Sequence, residues 1–191
     1  MPFNIPILLT WLRVALIPLV VGVYYLPLNW RPHADLFATL VFIIAAITDW
    51  FDGYLARRWN ESTAFGAFLD PVADKLMVAG ALLVLVWLGR VNAVLAFIII
   101  GREITISALR EWMAEIGARK SVAVSSLGKI KTAAQMVAIP LLLFDGTLFG
   151  MIDTSLLGGP LLWFAGVLTV WSMFYYLRRA WPLMKEKSGV M

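Results

Sequence analysis

Long apolar runs alternate with short charged clusters along this chain, and their spacing predicts helices. Uncharged stretches cover residues 14–30, 36–48, 76–89, 91–101, 132–144 and 154–177. A helix needs about 20 residues to cross hydrocarbon, and only the last stretch reaches that without a charge. The second to fifth are about 11 to 14 residues long, so each must continue as helix into charged sequence. The continuations are residues 49–57, 66–75, 102–110 and 128–131. They lie at the end of the second run, the start of the third, the end of the fourth and the start of the fifth. Successive spans reverse direction, so all four charged halves fall at the same membrane face. The pattern predicts an all-α polytopic membrane protein with a polar cavity open to that face. Its six transmembrane helices, over about 7–29, 35–57, 66–89, 91–115, 128–149 and 155–178, belong to one domain, 1–191. A short interfacial segment is expected within residues 1–12, where Pro2 and Pro6 stand.

Charge assigns the faces. Six spans put both termini on the charged side, and of the 16 Lys and Arg residues only Arg31 and Arg90 then lie opposite. The positive-inside rule makes the charged side cytoplasmic. Composition agrees: 61% of the 191 residues are hydrophobic and 15% charged, against about 25% charged in an average soluble domain. Disorder, a disulfide-stapled fold and an ordinary soluble enzyme are disfavoured. The chain has no Cys and one His, His33, so a metal here must be held by oxygen ligands. The net charge of +4 follows from the positive-inside bias. No basic stripe with interleaved aromatics points to nucleic acid.

The chemistry concentrates in two segments. Asp49, Asp52, Gly53 and Ala56 recur at three- and four-residue steps and share one helical face; Gly66, Asp70 and Asp74 repeat every four residues on the next helix. A short link makes the two helices antiparallel neighbours whose faces meet, bringing four carboxylates together. A charge at the bilayer centre costs about 2.5–3.5 kcal/mol, and two carboxylates about 4 Å apart repel by roughly 4 kcal/mol at an effective dielectric near 20. Lys75 and Arg57 cannot offset four such groups. Divalent cations can, and carboxylate oxygens suit Mg²⁺ or Mn²⁺. The small residues Gly53, Ala56 and Gly66 leave an open floor beside the carboxylates. The competing reading, carboxylates at an interfacial helix end with small residues packing helices, accounts poorly for two facing stripes.

The string D-x-x-D-G-x-x-A-R-x8-G-x3-D-x3-D, complete over residues 49–74, resembles the signature of the CDP-alcohol phosphotransferases. The segments around residues 3–13, 101–113 and 128–136 are similar to bacterial members of that family, so the likeness runs along essentially the whole chain. The resemblance implies that Asp49, Asp52, Asp70 and Asp74 hold two divalent ions at the diphosphate of CDP-diacylglycerol. It implies that Asp52, Gly53, Ala56, Arg57 and Gly66 line the nucleotide side and that Asp74 is the general base. It further implies sn-glycerol 3-phosphate as acceptor, a homodimer, and residence among the lipids of the bacterial inner membrane.

A phosphorylated acceptor needs cations beside that site. Arg102 and Arg110 are eight residues apart on roughly one helical face, and Lys129 and Lys131 stand at the start of the fifth span. Arg binds phosphate bidentately, with Lys as a supporting point charge. These four are the expected acceptor-phosphate ligands, against a reading in which they snorkel to headgroups. Glu103 and Glu111 are available to pair with them. Thr10 and Arg13 read either as contacts to lipid phosphate or, for Arg13, as an interface anchor. Gly146 and Gly150 fit a close-packing helix motif at a span end. Sister enzymes with other acceptors, such as a cardiolipin synthase or a phosphatidylinositol-phosphate synthase, share the donor signature. A cation transporter would need charge continuing to the far face, and the outer halves of spans two to five carry none.

Overall fold

Each of the six apolar runs contributes to a helix that also takes in neighbouring charged sequence, as the short runs require. The computed structural model describes residues 5–27, 30–59, 64–117 and 126–187, and the side chains of 5–7, 31, 32, 56, 57, 64, 65, 67, 126, 127 and 183–187 are outside that description. The helices are α1 Ile5–Gly22, α2 Arg31–Trp59, α3 Ala64–Trp87, α4 Ala93–Glu115, α5 Ser126–Phe144 and α6 Thr154–Lys187. A 3-10 turn, Val23–Tyr25, follows α1. Asn92 caps α4 by accepting from the Val94 N–H at 2.8 Å.

Several boundaries differ from expectation, among them the end of α1, at Gly22 and not near 29. From Ile5 onward the supposed interfacial segment is part of α1; residues 1–4 lie outside the description. The fifth helix stops at Phe144 instead of continuing to 149. The backbone there turns through positive φ at Asp145 (42°), Phe149 (53°) and Gly150 (70°). A two-residue antiparallel ladder forms, β1 Thr147–Leu148 on β2 Ile152–Asp153, with Thr147 opposite Asp153. Gly146 and Gly150 therefore serve a hairpin and not a helix contact. Asp153 then caps α6, accepting from the Ser155 N–H at 2.9 Å and hydroxyl at 2.7 Å. Those hydrogen bonds hold its carboxyl below the ordinary carboxylate pKa. The sixth helix runs on to Lys187, nine residues past the expected end at 178.

The helices close into a ring: α1 packs on α2 and α3, α3 on α4, α4 on α6, α6 on α5, and α5 on α2. The apolar core fills one end, built from Phe42 and Ala45 of α2, Leu82 and Leu85 of α3, Ile99 of α4, and Leu143 of α5. A smaller cluster, Ile106, Leu109 and Met113 against Tyr176 and Ala180, joins α4 to α6 nearer the other end. Between the two lies a buried polar layer containing Thr10, Arg13, Asp52, Arg102, Lys131, Gln135 and Ser172. The outer surface is apolar, with Leu83, Phe97, Trp163, Val167 and Phe174 exposed. That inversion of the soluble pattern suits a lipid surround. By length and composition α1, α2 and α6 each carry a stretch able to cross a membrane; α3, α4 and α5 carry charged halves.

At the end remote from those halves Arg90 ties three elements together. Its guanidinium donates to both Asp35 oxygens at 2.6 and 3.0 Å and to the α5 carbonyls of Leu142 and Leu143 at 3.3 and 2.9 Å, and its Nε meets Asp145 at 2.9 Å. Burial works against its charge, but the bonds and charge of Asp35, with Asp145 behind them, keep its pKa above the usual arginine value. The Tyr24 hydroxyl donates to Asp35 at 2.9 Å.

Close helix approach is built into α6. A Cβ on Gly158 would stand 2.8 Å from Leu142 Cγ and 3.2 Å from the Ala138 carbonyl, whereas one on Gly159 would meet nothing within 4 Å. Gly158→Val is therefore expected to destabilise the protein by about 1–3 kcal/mol through overpacking, with Gly159→Val close to wild type. Thermal unfolding of the two variants in detergent checks the contrast.

Candidate active site

The two aspartate stripes do meet, and the helix that organises them is α1. Thr10 and Arg13 stand three residues apart on one face of α1, the face packed against α2 and α3. The Thr10 hydroxyl donates to Asp70 at 2.7 Å. The Arg13 guanidinium reaches Asp49 at 2.6 Å and Asp74 at 2.5 Å and also pairs with Asp52. Arg13 is completely buried, and Asp52 nearly so at 5%, while Asp49 and Asp74 remain 33% and 38% exposed. Arg13 and Asp52 thus form the floor of the site, and Asp49 and Asp74 its accessible rim. The Gly53 N–H donates to the Asp52 carboxylate. Four carboxylates against one guanidinium leave the cluster strongly negative.

Among the described residues no three acidic or histidine side chains are disposed to hold a metal ion as they stand. The donor set nonetheless fits one. It is all carboxylate oxygen, it comes from two facing helices, and a cationic group already sits among three of its members. Hard divalent ions take such ligands.

A second cluster, of opposite sign, is built from α4, α5 and α6. Arg102 donates to the Ser172 hydroxyl at 2.9 Å, lies 3.5 Å from Glu103, and stacks over the Tyr176 ring at 5.7 Å. Lys131 pairs with the same Glu103 carboxylate. Arg102, Lys131 and Gln135 are all buried, yet Arg102 Nε and Gln135 Nε2 have no hydrogen-bond partner among the described residues. Two buried cations share one carboxylate beside two orphaned donors, which is an anion-seeking arrangement. Lys75, adjacent to Asp74 in α3, links the clusters: the charges of Asp74, Glu103, Arg110 and Glu111 all bear on it. Its ammonium donates to the Pro71 carbonyl at 2.8 Å.

The sequence reading is thereby sorted. Asp49, Asp52, Asp70 and Asp74 come together. Gly53 and Gly66 are half-buried on α2 and α3; the side chains of Ala56 and Arg57 fall outside the described residues. Of the four cations expected at one pocket, Arg102 and Lys131 converge through Glu103, while Arg110 and Lys129 are exposed. Arg13 is not an interface anchor, because its guanidinium is sealed inside the ring. Ser172 and Tyr176 lie in an uncharged run that holds no signal for them, whereas Gln135 repeats at three-residue steps with Lys129 and Thr132 at the start of the fifth span.

The profile of the CDP-alcohol phosphatidyltransferase family matches residues 3–171. The chain belongs to that family. Relatives from Shigella flexneri serotype 5b (strain 8401) and Escherichia coli (strain K12), both named CDP-diacylglycerol–glycerol-3-phosphate 3-phosphatidyltransferase, are each 54% identical to it over 186 residues, 94% of this chain and 96% of theirs. The CDP-alcohol phosphatidyltransferase match takes in the aspartate cluster and, of the cationic one, Arg102, Glu103, Lys131 and Gln135, ending just short of Ser172 and Tyr176.

Glu103 is the sole carboxylate that either buried cation contacts among the described residues. Glu103→Gln leaves Arg102 and Lys131 uncompensated and is expected to cost about 3–5 kcal/mol of stability. The double variant Glu103→Gln/Lys131→Met should recover most of that loss in thermal unfolding, since it removes the stranded charge as well.

Proposed function

We propose that the chain transfers the phosphatidyl group of CDP-diacylglycerol to sn-glycerol 3-phosphate, giving phosphatidylglycerophosphate and CMP. The observation that carries this reading is the pair of opposed clusters in one ring, a carboxylate site beside a buried cationic site. The first is suited to a diphosphate through bound cations, the second to a phosphomonoester directly. The full-length relatives carry the name of the same reaction.

In this reading Asp49, Asp52, Asp70 and Asp74 would hold two divalent ions, Mg²⁺ or Mn²⁺. When bound, these supply charge neutralisation at the donor diphosphate and at the departing phosphate of CMP. Gly53, Ala56, Arg57 and Gly66 form the nucleotide side with Asp52. Arg102 and Lys131 bind the acceptor phosphate in the dry layer, and the exposed Arg110 and Lys129 draw the dianion toward it. The glycerol hydroxyl attacks the phosphoryl group that carries diacylglycerol, the bond from that phosphorus to the CMP oxygen breaks, and the hydroxyl proton passes to Asp74. Exposure of Asp74 on the rim supports that role, since a base must be within reach of an incoming hydroxyl.

The same reading gives six spans with both termini and the site facing the cytoplasm of a bacterial inner membrane, and a homodimer as the working unit. Cardiolipin synthase and phosphatidylinositol-phosphate synthase chemistry share the donor half and differ at the cationic cluster. A CMP-release assay on the purified protein, offered glycerol 3-phosphate, inositol phosphate, serine or phosphatidylglycerol separately, discriminates them. Turnover is expected with glycerol 3-phosphate; turnover with another acceptor alone would overturn the assignment. Asp74→Asn is expected to lower kcat by about 10²–10⁴-fold while CDP-diacylglycerol binding persists. Wild-type turnover in that variant would remove Asp74 from the base role.

A further inference from the structure

We infer that Arg13 is a displaceable internal cation, which occupies the space among Asp49, Asp52 and Asp74 when no divalent ion is bound and yields it when one binds. This rests on the metal reading of the four aspartates. Three features separate Arg13 from an ordinary structural ion pair. Its one positive charge is shared by three carboxylates from two helices, so the cluster stays under-neutralised. Its Nε is buried with no hydrogen-bond partner among the described residues, although a settled buried arginine normally satisfies its whole fork. Two of its three partners belong to the accessible rim, where a dissolved ion can reach them.

A divalent ion wins that competition on simple grounds. It brings twice the charge to the same oxygens at about 2.0–2.2 Å for Mg²⁺, closer than any N–H···O contact allows. Asp70 is exempt from the exchange, because its partner on α1 is the neutral Thr10 hydroxyl, 2.7 Å away, and not the guanidinium. The α1 face therefore supplies a removable charge for three aspartates and a fixed neutral donor for the fourth. Once displaced, the guanidinium is a free bidentate phosphate ligand next to the donor site. Metal binding would then precede and promote capture of the donor's diphosphate.

Mn²⁺ titration of the detergent-solubilised full chain, followed by electron paramagnetic resonance, tests this without relying on turnover. If Arg13 fills the site in nine-tenths or more of metal-free molecules, its removal tightens apparent Mn²⁺ affinity by about tenfold or more. Arg13→Met should show that gain, together with a lower melting temperature in chelator that Mn²⁺ restores. Arg13→Lys, a single-point charge that cannot span three carboxylates, should fall between the two and carries the test if the Met variant does not fold. Mn²⁺ affinity unchanged or weakened in a folded variant overturns the displacement while leaving the metal reading intact. Absence of Mn²⁺ binding in the wild-type protein and both variants overturns the metal reading itself.

Discussion

Four carboxylates held inside an apolar ring are the constraint around which this protein is organised. None is tolerable alone at that depth, and their mutual repulsion makes the set worse. The fold answers with α1, whose Thr10 and Arg13 give each of the four a polar partner and bring α2 and α3 to the same face. The closure of the ring depends on that convergence, because α1 is the wedge between the two aspartate helices. A fully buried arginine midway along it is energetically acceptable only because three carboxylates surround it.

The second half of the ring has the complementary problem. Arg102 and Lys131 are buried with one carboxylate between them, and Arg102 and Gln135 each keep a donor without a partner among the described residues, which in the proposed reading is where the acceptor phosphate would bind. Neighbouring sites of opposite sign suit a reaction between two phosphorylated molecules, since carboxylates would hold one through bound cations and basic side chains would hold the other directly. Lys75 stands at the seam, answering to Asp74 on one side and Glu103 on the other. Burial of Arg13, Asp52, Arg102 and Lys131 strengthens the charge interactions at the floor of each cluster, while Asp49 and Asp74 stay open to solvent.

Much of this was legible in the sequence. Aspartates at three- and four-residue steps on consecutive helices declare a shared face without any tertiary information, and half-charged runs declare helices longer than the apolar stretches alone. The partnership of Arg13 with those aspartates was not legible, because it spans 36 to 61 residues of chain and has no periodic signature. A lone arginine near the start of an apolar helix looks the same whether it anchors to headgroups or is sealed in a core. The division of the cations had the same cause: helical spacing put Arg102 and Arg110 on roughly one face, but only the packing of α6, with Ser172 and Tyr176, decides which is covered. The early end of α5 is announced by the Asp145-Gly146 turn pair, but Gly146 and Gly150 also fit a helix-packing motif, and Phe149 is a residue type that rarely takes positive φ.

The Arg90 knot has a mechanical meaning for the ring. By fastening the start of α2, the α3–α4 junction and the end of α5 at the rim remote from the charged halves, it makes that rim a hub. Helices joined at a hub splay like the ribs of a partly opened umbrella, with displacement growing along their length. The charged end, remote from that hub, is therefore where a given change in helix tilt produces its largest displacement.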